Sequence, residues 1–144
     1  MDVRLELSEK YQTPHAVIHT HAITPEVQRA LDYLRLQPSP LTAQKDDTTV
    51  ILKPREVYLI RIEGSKTIIY TQREHYHTKK RLYQLVDQLG EDFLQISKQT
   101  VVNMAHIHSV EASFNGTLLL KMKNNLTDYV SRKYLPQFKA YLGL

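Results

Sequence analysis

Phe93-Leu-Gln-Ile-Ser-Lys-Gln-Thr-Val-Val-Asn103 decides how the rest of this chain is read. Its apolar and β-branched residues stand in two short runs, Phe93 to Ser97 and Thr100 to Asn103, with a polar, basic interruption around Lys98. Runs this short and this rich in such residues read as strands, and the interruption reads as the loop between them. Tyr129-Val-Ser-Arg-Lys-Tyr134 repeats the arrangement, with Ser131, Arg132 and Lys133 following a strand-like run. Exposed basic side chains on the loops of a β-rich scaffold suit nucleic acid better than an active site.

Working outward, Ile107 to Phe114 and the Leu118, Leu120, Met122 alternation flank Asn115-Gly116. Both central positions of a type I′ turn need positive φ, so Asn-Gly predicts a hairpin. Asn124-Asn125 predicts a second turn and Leu126 to Val130 a last strand. Pro136 suits the first turn of a short helix over Leu135 to Leu142, which leaves Ser131-Arg132-Lys133 on a strand-to-helix loop. Upstream, Tyr58 to Ile62 and Thr67 to Thr71 predict a hairpin around Gly64-Ser65-Lys66, and His75 to Thr78 a short strand. Leu82, Leu85, Val86 and Leu89 have helical spacing, with Gly90 where a C-terminal cap belongs, so a helix is expected over Lys79 to Leu89. The fold class expected for this part is mostly β with short helices.

A small strand–strand–helix α+β unit is expected to precede it. Val3, Leu5 and Leu7 alternate with Arg4 and Glu6 in the period of a half-buried strand, and Ala16 to Thr20 offers a second. Thr24-Pro25-Glu26 carries the marks of a helix start: N-cap threonine, proline at the first position, an acid in the first turn. Val27, Ala30, Leu31 and Leu34 then form one apolar stripe. The polar, proline-containing stretch from Pro38 to Asp47 reads as a linker. The expected division is residues 1–44, a unit for dimerisation or partner docking, and residues 45–144.

The chain has 144 residues, enough for one domain with a small appendage. It has no cysteine, so neither a disulfide framework nor a thiolate metal site is available. No apolar run reaches the roughly 18 residues of a membrane span, and the start lacks a signal-peptide core, so a cytoplasmic protein, not membrane-inserted, is expected. The net charge is +4. Residues 1–44 hold four Lys/Arg against five Asp/Glu, and residues 45–144 hold fifteen against ten, so the positive excess belongs to the second part. Such an excess suits a polyanion, although a solvated lysine-rich surface would look the same.

Residues 45–144 resemble the LytTR DNA-binding domain of bacterial transcription regulators. The resemblance rests on an ordered series: Glu63-Gly64, a helix ending Leu-x-x-Leu-Gly, Phe93-x-x-Ile96-Ser97-Lys98, Val102-Asn103, Ile107, Asn115-Gly116, and Val130-Ser131-Arg132-x-Tyr134. It implies a mostly β fold that binds double-stranded DNA through loops entering successive major grooves and that bends the duplex. It places DNA contacts at Ser65 and Lys66, at Ser97, Lys98 and Gln99, and at Ser131 and Arg132. Gln99 departs from the serine common there. The resemblance gives Val102-Asn103 a structural role. Residues 1–44 are too short for a receiver domain and look like the start of small stand-alone members. That implies a homodimer and a small membrane-protein partner.

Arg132 is the strongest candidate, since a guanidinium can donate two bonds to O6 and N7 of guanine or clamp a phosphate. Lys98 suits phosphate or guanine, and Lys133 and Lys66 suit the backbone. Ser97 and Ser131 can donate to phosphate oxygens or simply cap their own turns. The rival reading is a histidine-based metal-binding or sensing module. His19-x-His21, His75-x-His77 and His106-x-His108 would each put two imidazoles on one strand face. An enzyme is not expected: phosphate-loop, nucleophile-elbow and paired-carboxylate motifs are missing, and no cofactor is implied.

Overall fold

The computed structural model describes residues 1–35 and 40–144. They fall into two units, Met1–Gln37 and Pro38–Leu144. In the first, α1 spans Pro25–Leu34. The Thr24 hydroxyl accepts from the Val27 amide at 3.3 Å, and the Arg35 amide closes the helix on the Leu31 carbonyl at 2.9 Å. Val27 is buried, whereas Leu34 at the helix end is exposed. The two expected strands do not form. Residues 3–7 and 16–20 enter no ladder, and Val3, Leu5 and Leu7 are 88, 81 and 85% exposed. Alternation chooses which face a strand would bury, but a strand also needs an edge to pair with, and residues 3–7 and 16–20 pair with none among the described residues.

The second unit opens with β1 (Leu41–Lys45) and β2 (Thr48–Leu52), paired antiparallel from Leu41↔Leu52 to Lys45↔Thr48. β1 lies inside the stretch expected as linker, and the expected boundary after residue 44 cuts through it. Leu41 and Ala43 carry the signal, both almost fully buried, but a two-residue alternation beside Pro40 is easily read as loop. Pro38 and Ser39 of that linker lie outside the described residues. Then follow β3 (Leu59–Glu63), β4 (Lys66–Tyr70), β5 (His75–Thr78), α2 (Leu82–Leu89), β6 (Phe93–Gln95) and β7 (Thr100–Asn103). Helix α2 starts later than expected. Arg81 is its extended N-cap, and the Gln84 side chain accepts from the Arg81 amide at 2.9 Å. Gly90, at φ +96°, ends it.

These strands form one seven-stranded antiparallel sheet in the order β2-β1-β5-β4-β3-β7-β6. β8 (Ile107–Ala112), β9 (Leu118–Met122) and β10 (Thr127–Val130) form a second sheet, and α3 (Leu135–Leu142) follows. Asn115 at φ 56° and Gly116 at φ +73°, closed by the Thr117 amide on the Phe114 carbonyl, make the expected turn. α3 has the expected bounds.

The central strands are buried on both faces, and their alternation separates two cores. Ile60, Ile69, Phe93 and Val101 pack with Leu82, Leu85 and Leu89 of α2. Leu59, Leu94, Ile96 and Val102 pack with Leu120, Met122 and Val130 of the smaller sheet and Phe138 of α3. The larger sheet is thus the middle layer between a helix and a second sheet. A one-residue slip of β3 would exchange its two sets of side chains, so the register of the loops at its end is tightly specified.

Candidate nucleic-acid interface

Ladder register brings the candidate loops to one end of the larger sheet. Glu63↔Lys66 closes the β3–β4 turn on Gly64 and Ser65. Arg61↔Thr100 sets the 97–99 loop beside the end of β3, where the Ile62 amide donates to the Gln99 carbonyl at 2.8 Å. The Ser131 amide donates to the Ile96 carbonyl at 2.9 Å. Two backbone bonds therefore join β3, the β6–β7 loop and the β10–α3 loop. Val130↔Leu118 adds the Asn115-Gly116 turn, and a Cβ placed on Gly116 would lie 3.9 Å from Arg132 Cδ. The arginine stem therefore runs alongside that turn.

The side chains differ in how free they are. Lys98, Gln99, Arg132, Lys133, Lys66 and Ser65 are exposed. Neither Lys98 nor Arg132 forms an ion pair among the described residues, so an anion would displace water and no carboxylate. The Lys133 ammonium lies 5.9 Å from the Tyr134 ring centre. Ser97 is half-buried, and its hydroxyl accepts from the Gln99 amide at 3.2 Å, which shapes the loop. Ser131 is also half-buried. Asn103 is structural: its amide donates to the Val57 carbonyl at 2.9 Å and its oxygen accepts from the Ala105 amide at 3.0 Å.

Two further features escaped the sequence reading. Thr67↔Thr78 carries Lys79, Lys80 and Arg81 to the same end of the sheet. Lys79 and Arg81 are exposed, while the Lys80 ammonium donates to Gln88 at 2.8 Å. Three consecutive basic residues are a usable signal, masked by their adjacency to the helical spacing that begins at Leu82. The second feature lies beneath the loops. Arg61 Nε donates to Asp128 at 3.1 Å, its Nη2 donates to the Thr127 carbonyl at 2.9 Å, and the Thr100 hydroxyl donates to Asp128 at 2.8 Å. This cluster fastens β3 and β7 to β10, and only the folded registers bring its members together.

Charge is divided along the sheet. Asp46, Asp47, Glu74, Glu91 and Asp92 lie at the opposite end, by the registers of β1–β2, β4–β5 and β6–β7. There the Lys45 ammonium donates to Glu74 and holds that carboxyl below its ordinary range. Glu63, at the basic end, is engaged by Arg61 at 3.6 Å and by the Tyr70 hydroxyl. Burial, then the bond to Glu63, pushes the Tyr70 phenol up.

The histidines do not converge. No group of three or more His, Cys, Asp or Glu among the described residues is placed to hold a metal ion. His106 sits in a 3-10 turn, stacked on Tyr58 with ring centres 3.8 Å apart and its Nε2 at 2.6 Å from the Arg55 carbonyl. His108 follows on β8, so the pair lacks the strand spacing that would align it. His19 and His21 are on no strand, and only His75-x-His77 keeps the expected geometry.

Comparison with known proteins places this arrangement. The family model described as LytTr DNA-binding domain matches residues 47–143. Sensory transduction protein LytR of Staphylococcus epidermidis is 31% identical over 123 residues, covering 85% of this chain and 49% of that protein. LytR of Streptococcus mutans is 33% identical over 105 residues, covering 72% of this chain and 43% of that protein. The chain thus spans about half the length of these relatives. An HTH-type transcriptional regulator of Staphylococcus aureus strain MSSA476 is 26% identical over 146 residues and matches from end to end, at 100% of this chain and 99% of that one. Among solved structures, the LytTr DNA-binding domain of a response regulator from Bacillus cereus superposes with a TM-score of 0.69 at 24% identity, over 74% of this chain and 98% of that one. Despite the name of the S. aureus relative, no helix–turn–helix pair occurs among the described residues of the second unit: α2 and α3 are separated by β6 to β10.

Proposed function

Because the chain belongs to the LytTr DNA-binding domain family, we propose that it regulates transcription by reading duplex DNA from the loop end of its larger sheet. Arg132 and Lys98 are the principal readers, one in each of two neighbouring loops. Gln99 and Ser65 add short-range polar contacts. Lys66, Lys133, Lys79 and Arg81 hold the phosphates on either side. Ser97 and Ser131 shape their loops, and whatever contact they make is through partly covered atoms. The reader works as a homodimer in the cytoplasm, with residues 1–37 supplying the dimer contact, and two half-sites lie about one helical turn apart. A small membrane protein would be the alternative occupant of that first unit.

The observation that carries this reading is the stitching of the Lys98 and Arg132 loops by the Ser131–Ile96 backbone bond, with both basic side chains exposed and without an ion pair among the described residues. Phosphate contacts position a protein on DNA, whereas base contacts give specificity, and a guanidinium held at a fixed loop is suited to the second task. The test is selection of bound sequences from a randomised duplex pool, followed by fluorescence anisotropy on the selected site. Arg132→Ala is expected to lose roughly 1–3 kcal/mol and to relax one base position. The unfolding midpoint is expected to stay in place, because Arg132 carries no ion pair among the described residues. Failure to enrich any sequence, or an Arg132→Ala variant that discriminates bases as the parent does, overturns the reading.

A further inference from the structure

The sequence marks residues 3–7 as a strand, yet the structure gives that strand no partner. The segment reads Asp2-Val3-Arg4-Leu5-Glu6-Leu7-Ser8, with its three apolar side chains on one face and Arg4 and Glu6 on the other. The apolar three are almost wholly in solvent. Glu6 has two weak local contacts, Lys10 at 4.0 Å and the Tyr11 hydroxyl at 3.3 Å, both at exposed positions. Elsewhere in the same unit Val17, Ile23, Tyr33 and Leu34 are also exposed, at 67, 71, 65 and 57%. That is much apolar surface for so short a unit to leave uncovered.

We propose that this segment is the dimer contact: residues 3–7 of two copies pair antiparallel about a two-fold axis through Leu5. The proposal rests on the dimeric reading above and names its contact. Its ground is that only one register is self-complementary across the whole of residues 3–7; a register centred on Val3 sets Asp2 opposite Arg4 but takes in neither Glu6 nor Leu7. With Leu5 opposite Leu5 of the second copy, Val3 faces Leu7, and Arg4 faces Glu6 twice over, once on each side of the axis. Moving the centre to Arg4 sets Arg4 against itself and Glu6 against Asp2. Moving it to Glu6 sets Glu6 against itself. Registers between these put apolar side chains opposite charged ones and break the two-faced pattern. A parallel in-register pair would align like charges along its length. Opposite charges across strands stabilise a pair and like charges destabilise it, so the Leu5-centred register wins. A two-stranded ribbon alone is marginal in water. Here its apolar face is available to be covered by the exposed apolar side chains of the same unit from both copies. The contact is isologous, so it closes at two copies and does not propagate.

The experiment uses the full chain without DNA, by sedimentation equilibrium across a concentration series. Arg4→Glu alone and Glu6→Arg alone each set like charges opposite one another at two places. Each is expected to weaken dimerisation about tenfold or more. The double variant Arg4→Glu with Glu6→Arg restores the complementarity in reverse and is expected to return to within about threefold of the parent. The chain has no cysteine, which gives a second readout. Leu5→Cys lies on the axis and is expected to form a disulfide-linked dimer on mild oxidation, well ahead of Arg4→Cys, because residues directly opposite across a ladder are within disulfide reach. Single variants that dimerise like the parent, a double variant that fails to recover, or an Arg4→Cys variant that cross-links as fast as Leu5→Cys each refute the contact while leaving a dimer elsewhere possible. A parent chain that is monomeric throughout refutes both the contact and the dimeric reading, and anisotropy on a single half-site then reports the DNA reading separately.

Discussion

Asp128→Ala tests whether the cluster beneath the loops is what holds them in register. The carboxylate accepts from the Thr100 hydroxyl at 2.8 Å, from Arg61 Nε at 3.1 Å and from the Tyr129 amide at 2.7 Å. The Arg61 and Asp128 side chains are 25 and 21% exposed, so water screens the pair only in part. A fully exposed pair would contribute about 0–1 kcal/mol and a charged bond in the interior about 1.5–3 kcal/mol. This pair belongs between, at about 1–2 kcal/mol. Thr100 is almost completely buried, and leaving its hydroxyl without an acceptor costs about 1 kcal/mol more. Equilibrium urea unfolding is therefore expected to show a loss of about 2–3 kcal/mol at unchanged slope. Asp128→Asn keeps an acceptor for Thr100 and should lose roughly half as much. A double-mutant cycle with Arg61→Met should give a coupling of about 1–2 kcal/mol. Asp128 precedes Ser131 by one short strand end, so the same variant should also weaken DNA binding through Lys98 and Arg132 together. An Asp128→Ala variant within about 0.5 kcal/mol of the parent, or a cycle with no coupling, would show that the cluster adds nothing to what holds the two sheets together.

Three other outcomes follow from the same structure. Lys98→Ala should weaken DNA binding and lower the slope of log affinity against log salt by up to about one unit, read by anisotropy across a salt series. Lys79→Ala combined with Arg81→Ala should weaken specific and non-specific duplexes by similar factors, since phosphate contacts carry no sequence information; a loss confined to the selected site would instead make them base readers. Phe138→Ala removes a fully buried ring from the core between the sheets and should cost about 3–5 kcal/mol in urea unfolding.

What was legible in the sequence follows the range of the interaction. The Asn115-Gly116 turn, the Thr24 cap and Pro136 in the first turn of α3 are decided within a few residues, and each appears where expected. The hairpin at Gly64 and the strands on either side of Lys98 were legible for the same reason. β1 was not, because the signal is only Leu41 and Ala43, and what makes them a strand is pairing with β2 and β5. Residues 3–7 fail in the opposite sense: the local pattern is clear, but the segment enters no ladder among the described residues. The candidate site divides likewise. Lys98 and Arg132 could be picked out as basic residues on loops, with the family resemblance setting their rank. Arg61, Thr100 and Asp128 could not, because each looks like an ordinary strand residue until the registers bring them together.

That division also separates the two tasks of this end of the fold. Lys66, Lys79, Arg81, Lys98, Arg132 and Lys133 project from one end of a sheet whose carboxylates gather mainly at the other. Like charges held this close repel one another and would favour an open, spread arrangement of their loops. The charged side chains contribute little that resists it, since Lys98 and Arg132 pair with nothing among the described residues. Resistance comes from groups outside the proposed contact surface: the Ile62–Gln99 and Ser131–Ile96 backbone bonds, the Arg61–Asp128–Thr100 cluster, and strands buried on both faces. If these side chains are the proposed readers, their repulsion is relieved when phosphates arrive, so the same charges that oppose the free fold favour the bound one. The proposed reading surface is therefore pre-positioned by neutral and internally compensated contacts, and on that proposal DNA supplies the charge compensation that the protein omits.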